Sequence, residues 1–398
     1  MIFLSLACDN IFMFKDFYID FTYDRKINHF LSEHDAIFPE SNINVRKKML
    51  LLGGNASGKT TFGILLCAIS NFIIGMPISN SRLNLYNAIF DKNKDSKFSV
   101  DFVCDHDAYR LECIFNSNGI KKEEWRKVKV YKSYNIKKLR QQLDSTKVIS
   151  LFTNNDSEQI PTLQQRVFVS NIMSRYNLAN KKLQALLSGI GFHYFFSNYS
   201  DQNSDNKINT SVDMINNILP VIDNSVDKVV ALQPDDKQLK TTSYLISFKN
   251  GEQLTIPDGD LSSVAQDRLS HGTYEVLSFL SILQEVKYRR THTIYIDEKL
   301  PHLHAELEAY LVIKLLLINR DAQIFFTTHN SELLDLNVPS NTFLLFKRGD
   351  DGYNTAIFVN EKLNKNDRSI RNYYENDYFG VMPDYTSLDV YFEDACHE

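Results

Sequence analysis

The sequence predicts an α/β fold: a mainly parallel sheet covered on both faces, preceded by β hairpins and interrupted by a helical insertion. Three observations carry this expectation. Met49–Leu52 is a short apolar run that ends on Gly53-Gly54, and an apolar segment of helical length, Thr60–Ile74, follows it, which gives the order strand, glycine loop, helix. From residue 273 to 327, stretches of helix length alternate with apolar runs of strand length, the pattern of a parallel sheet wrapped by helices. Strand-like stretches are broken by Asn118-Gly119 and Asn250-Gly251, pairs whose backbone accepts the tight turn of a hairpin.

Along the chain, Phe3–Ala7 and Phe17–Phe21 read as strands, and a polar stretch then runs to Arg46. Phe98–Val103 alternates, Tyr109–Phe115 leads into Asn118-Gly119, and Val128–Tyr131 resumes the strand pattern. From 134 to 235 apolar residues recur at helical spacing through Val167, Ile172, Leu178, Leu183 and Leu186-Leu187, with short β-like pieces between them. That span is expected to be a helical lobe inserted into one domain. Tyr244–Phe248 and Leu254–Ile256 flank Asn250-Gly251 as a second hairpin. A helix over about Thr273–Arg289, a strand at Ile294–Ile296, a helix over about Ala305–Asn319 and a strand at Gln323–Thr327 follow. The last strands fall near Phe343–Phe346 and Ala356–Val359. The expected division is 1–133 for the N-terminal part of the domain, 134–235 for the lobe and 236–398 for the C-terminal part.

With 398 residues, 43% hydrophobic and 23% charged, the chain falls outside the disordered and collagen-like classes. A formal net charge of -5 excludes nucleic-acid binding over the whole surface and leaves only a local basic patch for it. Cys8, Cys67, Cys104, Cys113 and Cys396 form no CxxC pair and are odd in number, so neither a zinc knuckle nor a disulfide framework is supported and a reducing cytoplasm is expected. The N-terminal MIFLSLACDN lacks a basic leader and reads as a first strand. The apolar runs Phe62–Ile69 and Tyr310–Ile318 are too short to span a bilayer.

Four motifs carry the chemistry. Gly53-Gly54-Asn55-Ala56-Ser57-Gly58-Lys59-Thr60 fits GxxxxGK[ST] between a strand and a helix. Such glycines let backbone N–H groups curl around phosphate, and the helix N-terminus adds its dipole. Gly53, Asn55, Ala56, Ser57, Gly58, Lys59, Thr60 and Thr61 are the expected nucleotide contacts. Lys59 would neutralise the β- and γ-phosphates, and the Thr60 hydroxyl would coordinate Mg²⁺. The apolar strand Thr293-Ile294-Tyr295-Ile296 ends in Asp297-Glu298; Asp297 would hold Mg²⁺ through water and Glu298 would act as general base on the attacking water. Leu269-Ser270-His271-Gly272-Thr273 opens a long helix, an anion site with no phosphate to serve in its own subunit; across a dimer, Ser270 and Gly272 would reach the γ-phosphate held by the partner. Phe325-Phe326-Thr327-Thr328 delivers His329 to a strand's C-terminal end, where ligands sit in open α/β sheets and where it would sense the γ-phosphate. Alone, the last three motifs have ordinary structural readings as helix caps and a strand-end histidine.

Phosphate loop, long insertion, Ser-x-Gly helix start, acid pair and histidine, in this order, resemble the ABC ATPase heads of the SMC and RecF class. The resemblance implies a mixed-sheet P-loop NTPase head, a helical insertion lobe, and two subunits sandwiching two ATP molecules with Mg²⁺. More narrowly the chain resembles short ATP-binding proteins related to the overcoming-lysogenization-defect (OLD) family. The resemblance rests on Asp9-Asn10-Ile11-Phe12-Met13-Phe14-Lys15-Asp16, Ser270-His271-Gly272-Thr273, Leu303-His304-Ala305 (where that group usually has proline), Thr327-Thr328-His329 with Leu333-Leu334, Arg371, and Phe379-Gly380-Val381-Met382-Pro383. Several such proteins are similar to the ATPase half of bacterial anti-phage systems, such as RloA and the AriA subunit of PARIS. That likeness implies a separately encoded nuclease or toxin effector, since no second acid-rich nuclease module is read after His329. A repair or recombination ATPase of the RecF and SMC type, and a scaffold that binds ATP without hydrolysing it, are the alternatives.

Lys121, Lys122, Arg126, Lys127, Lys129, Lys132, Lys137, Lys138 and Arg140 make 121–140 the most basic stretch, with Trp125 and Tyr131 among them. The stretch reads as a DNA contact, a dock for an acidic protein, or a solvated hairpin and helix face. His302 and His304 read as part of the loop after the acid pair rather than as metal ligands.

Overall fold

The computed structural model describes residues 1–74, 85–153, 192–195, 207–208, 210–232, 242–261, 269–288, 293–363 and 369–382. The chain begins with β1 (Ile2–Asp9), β2 (Phe17–Asp20), β3 (Thr22–Tyr23), β4 (Asn44–Val45), β5 (Lys48–Leu52) and α1 (Lys59–Ile74). Next come β6 (Ser96–Cys104), β7 (Asp107–Asn116), β8 (Gly119–Lys129), α2 (Ile136–Ser145), β9 (Ile149–Thr153) and β10 (Phe192–Phe195). Then follow α3 (Val212–Ile222), β11 (Val226–Leu232), β12 (Ser243–Phe248), β13 (Gln253–Ile256) and α4 (His271–Tyr288). The C-terminal part holds β14 (Thr293–Asp297), α5 (Ala305–Ile318), β15 (Gln323–Thr327), β16 (Phe343–Arg348), β17 (Asn354–Phe358), α6 (Val359–Lys362) and α7 (Ile370–Glu375).

Two six-stranded sheets dominate, β2-β1-β6-β7-β8-β9 and β10-β14-β15-β5-β16-β17. The first is antiparallel throughout. In the second, β10, β14, β15, β5 and β16 run parallel and β17 returns antiparallel. This is the mixed α/β fold expected from the sequence. The side-chain period of two divides the core. Met49, Leu51, Tyr295, Phe325, Leu344 and Phe346 face α1 and the antiparallel sheet, whereas Leu50, Leu52, Ile294, Ile296, Ile324, Phe326 and Leu345 face α3, α4 and α5. Helix α1 is therefore held between two sheets.

Packing fixes α1 closely. The Phe62 ring lies 5.3–6.5 Å from the rings of Phe14, Phe17, Phe21, Phe325 and Phe346. A Cβ on Gly63 would stand 2.4 Å from the Tyr295 ring and 2.5 Å from that of Tyr194, so only glycine lets the helix lie against this aromatic floor. Gln323 joins the sheets where β1 carries a register shift between Phe3 and Ser5: its Oε1 accepts from Phe3 N at 2.8 Å and its Nε2 donates to Phe3 O at 3.1 Å.

Much of the expected lobe, 154–191 and 196–206, lies outside the described residues, as does the closing Pro383. Within the described part of 134–235, α2 and α3 are helical, but β10 extends the central sheet and β11 builds a three-stranded sheet with β12 and β13. Residues 118–119 and 250–251 form the hairpin turns, with Gly119 at φ 138° and Gly251 at φ 88°. Cys8, Cys67, Cys104 and Cys113 are buried and form no disulfide. Among the described residues no helix is long and apolar enough to cross a membrane.

Candidate active site

Sheet register assembles the site. Asp297 pairs with Thr327 and Thr327 with Leu51, so the acid pair, the histidine loop and the glycine loop all leave the sheet at the same C-terminal edge. The glycine loop itself needs unusual backbone. Gly53 has φ 147° and Gly58 φ 104°, and Cβ atoms there would meet Phe346 O at 2.3 Å and the Asn354 amide at 2.4 Å. Ala56 also takes a positive φ. Asn55, Ala56 and Thr60 are exposed and Thr61 is half-buried, while Ser57, Gly58 and Lys59 are covered.

Lys59 Nζ donates to Gly53 O at 2.9 Å and Gly54 O at 3.3 Å, curling across its own loop, and lies 3.9 Å from Glu298 Oε1. Burial lowers its pKa, and the charges of Glu298 and Asp297 oppose that shift. Thr60 Oγ1 donates to Asp297 Oδ1 at 3.1 Å. The same carboxyl accepts from Thr327 Oγ1 at 2.8 Å and from Tyr194 OH at 3.1 Å. Burial raises the Asp297 pKa and the adjacent Glu298 charge adds to this, while those hydroxyls hold it down. A buried carboxylate ringed by hydroxyl oxygens, with Thr60 beside it, is a hard-oxygen donor set that suits Mg²⁺.

Glu298 turns out of the strand with φ 42°, and its N–H donates to Thr327 Oγ1 at 2.9 Å. Its carboxylate thereby faces His329, 2.8 Å away at Nε2. The hydrogen bond from His329 lowers the Glu298 pKa, outweighing its burial, and keeps it ionised at neutral pH. An ionised carboxylate only accepts, so Nε2 carries the proton, and the 3.4 Å approach of Lys59 Nζ to the same nitrogen is contact rather than a second bond. On either side of His329, Thr328 Oγ1 donates to Glu308 Oε1 at 2.7 Å and Asn330 Nδ2 donates to Glu308 Oε2 at 3.0 Å.

The structure thus brings Lys59, Thr60, Asp297, Glu298 and His329 together and places Ser270 and Gly272 apart, at the N-terminal end of α4. Among the described residues no hydrogen bond joins that end to the glycine loop. Ser270 is exposed, and its Oγ accepts from Thr273 N at 3.1 Å as a helix cap. Gly272 packs against Leu303 and His302 of the loop that follows the acid pair, and Glu275, buried in α4, accepts from His302 N at 3.0 Å.

Sequence reasoning missed Tyr194, Thr327 as an Asp297 partner, Glu275, Glu308 and Asn354. The doubled threonine before His329 was the one available signal. In the basic stretch the Trp125 ring is 2% exposed, with Nε1 donating to Glu123, which leaves Tyr131 as the aromatic at the surface there. Acids from several segments lie beside the basic residues. Lys121 pairs with Asp95, Lys122 with Glu124, Arg126 with Glu112, Lys127 with Asp107, Lys132 with Glu40 and Arg140 with Asp20. A stretch so neutralised by its own fold reads as a solvated face. Among the described residues no cluster of His, Cys, Asp and Glu could hold a metal ion on its own.

No family model matches the chain. No curated protein matches it either. Among solved structures it is similar to an SMC head bound to the C-terminal winged-helix domain of ScpA, at TM-score 0.43 and 11% identity over 91% of this chain and 100% of that one. It is similar to the SMC head domain from Thermotoga maritima at TM-score 0.42 and 11% identity, over 90% of this chain and 99% of that one. An Smc head with extended coiled coil bound to the C-terminal domain of ScpA, from Pyrococcus furiosus, gives TM-score 0.45 and 11% identity over 91% and 97%. At such values the likeness is one of general chain course, and the site stands on its own geometry.

Proposed function

We propose that this chain is an ABC-like ATPase whose two copies close around ATP, and that closure gates a partner protein. The observation that carries the reading is the convergence of Lys59, Thr60, Asp297, Glu298 and His329 at the ends of adjacent parallel strands. Loop amides and Lys59 bind the phosphates, and Thr60 with Asp297 would hold Mg²⁺, which supplies charge neutralisation on the transferred phosphoryl group. Glu298, kept ionised, takes a proton from the attacking water. His329 holds Glu298 in place through its Nε2–H and stands where it would sense the γ-phosphate. Exposed Ser270 would complete a partner's site, and loss of the γ-phosphate removes the charge that joins the copies.

The gated partner is a separately encoded nuclease or toxin in bacterial anti-phage defence, a step that rests on the OLD resemblance. Phosphate release and light scattering with Mg²⁺ and ATP test the core reading. Lys59→Ala should lose nucleotide binding. Glu298→Gln should lose at least about a hundred-fold in turnover and accumulate an ATP-bound dimer. Unchanged turnover in Glu298→Gln would remove that residue as base; an ATP-induced dimer without any phosphate release from the parent protein would leave only a scaffold.

A further inference from the structure

The helix start that carries Ser270 is wired to the preceding lobe by a chain of hydroxyls with a fixed direction. Thr273 Oγ1 donates to Asp223 Oδ2 at 2.8 Å. Ser270 Oγ lies 2.6 Å from the same Thr273 Oγ1. A hydroxyl has one proton, and an ionised carboxylate can only accept. Since Thr273 spends its proton on Asp223, the proton between the two hydroxyls must come from Ser270. The order is therefore Ser270 O–H to Thr273 O–H to Asp223. Asp223 does not swing to meet them. It is the C-cap of α3, with its N–H on Leu219 O at 2.8 Å, and its other oxygen, Oδ1, accepts from Ser225 Oγ at 2.5 Å and Ser225 N at 3.0 Å.

We infer that Asp223 is a positioning residue that latches the Ser270 proton inward and so sets the threshold for closure around ATP. The inference rests on the sandwich reading above. A phosphate oxygen arriving from a partner needs a donor, and in the free chain Ser270 presents its oxygen instead. To donate outward, Ser270 must leave Thr273, and Thr273 Oγ1 then loses its incoming hydrogen bond. This loss occurs once per subunit, and therefore twice in a symmetric dimer. Closure is thereby harder than an unlatched serine would make it, and its threshold is set through a carboxylate on a different element from the phosphate loop.

The full chain carrying Glu298→Gln, titrated with Mg²⁺ and ATP and followed by sedimentation or light scattering, tests this. Asp223→Asn can turn an N–H toward Thr273 and release both hydroxyl protons. It should lower the protein concentration for half-dimerisation by about ten-fold, the size of two modest hydrogen bonds. Thr273→Val breaks the chain while leaving the Asp223 charge, and should act in the same direction; Thr273→Ser keeps the hydroxyl and should restore the parental threshold. Tightening by Asp223→Asn alone would point to simple charge removal and overturn the latch. Weakening by both would mark a structural strut and overturn it too. Ser270→Arg separates the two readings. If it abolishes the ATP dimer while Asp223→Asn and Thr273→Val leave the threshold unmoved, the latch falls and the sandwich stands. If Ser270→Arg still dimerises with ATP, both fall.

Discussion

At the scale of single residues, the site sets function against stability at Asp297. Burial raises its carboxyl pKa, so the folded chain binds a proton there more readily than the unfolded chain does. The sign follows: the buried charge costs stability where pH stands above that raised value, and the cost lifts as pH falls through it toward the value of the unfolded chain. Asp297→Asn should therefore raise the melting temperature without nucleotide by about 2 °C while Mg²⁺-dependent turnover collapses. A lowered melting point would contradict this. In the parent protein, Mg²⁺-ATP affinity should weaken as acid protonates the same group. Glu308 allows a second prediction. Glu308→Ala takes the acceptor from Thr328 Oγ1 and one of two from Asn330 Nδ2, which keeps Ala305 O, and so loosens the loop that aims His329. Turnover should fall about ten-fold with the nucleotide dissociation constant unchanged, as equilibrium binding beside phosphate release will show. The residues legible in the sequence were those fixed by contiguous motifs: Lys59 and Thr60 within one loop, Asp297 and Glu298 at one strand end. Tyr194, Glu308 and Asn354 were not, because they reach the site only through sheet order and helix packing, which no local spacing encodes.

At the scale of elements, the hairpins were readable because Asn-Gly announces its turn, and most strands of the central sheet because each is a short run with an apolar centre. β11 was not. Val226 and Val229 are both buried although three residues apart, since a register shift between Val226 and Lys228 breaks the alternation, and a bulged strand then copies helical spacing. Phe192–Phe195 is too short to announce itself and gains its place only by pairing with β14. Packing at α1 leaves no room for a larger residue at Gly63. Gly63→Ala would press a methyl group into the rings of Tyr295 and Tyr194, and overpacking of this kind costs about 1–3 kcal/mol. The variant should unfold at lower denaturant with an unchanged slope; an unchanged midpoint would mean that the helix is free to lift.

At the scale of the whole molecule, the proposed closure around ATP would make stability a property of concentration. In Glu298→Gln the melting temperature should climb with protein concentration when Mg²⁺ and ATP are present and stay flat without them, because only the nucleotide-bound dimer is favoured by mass action. A melting point that ignores concentration in both conditions would argue for a monomeric cycle. Holding α1 between two sheets has a mechanical consequence. Rings press on it from both sides, so the end of the molecule that would grip phosphate is an anvil, and whatever yields when fuel arrives would lie on the side of α4. Amide protons along α1 should then be among the last to exchange with solvent whether or not ATP is present, and the fuel-dependent change should be written in the opening turn of α4.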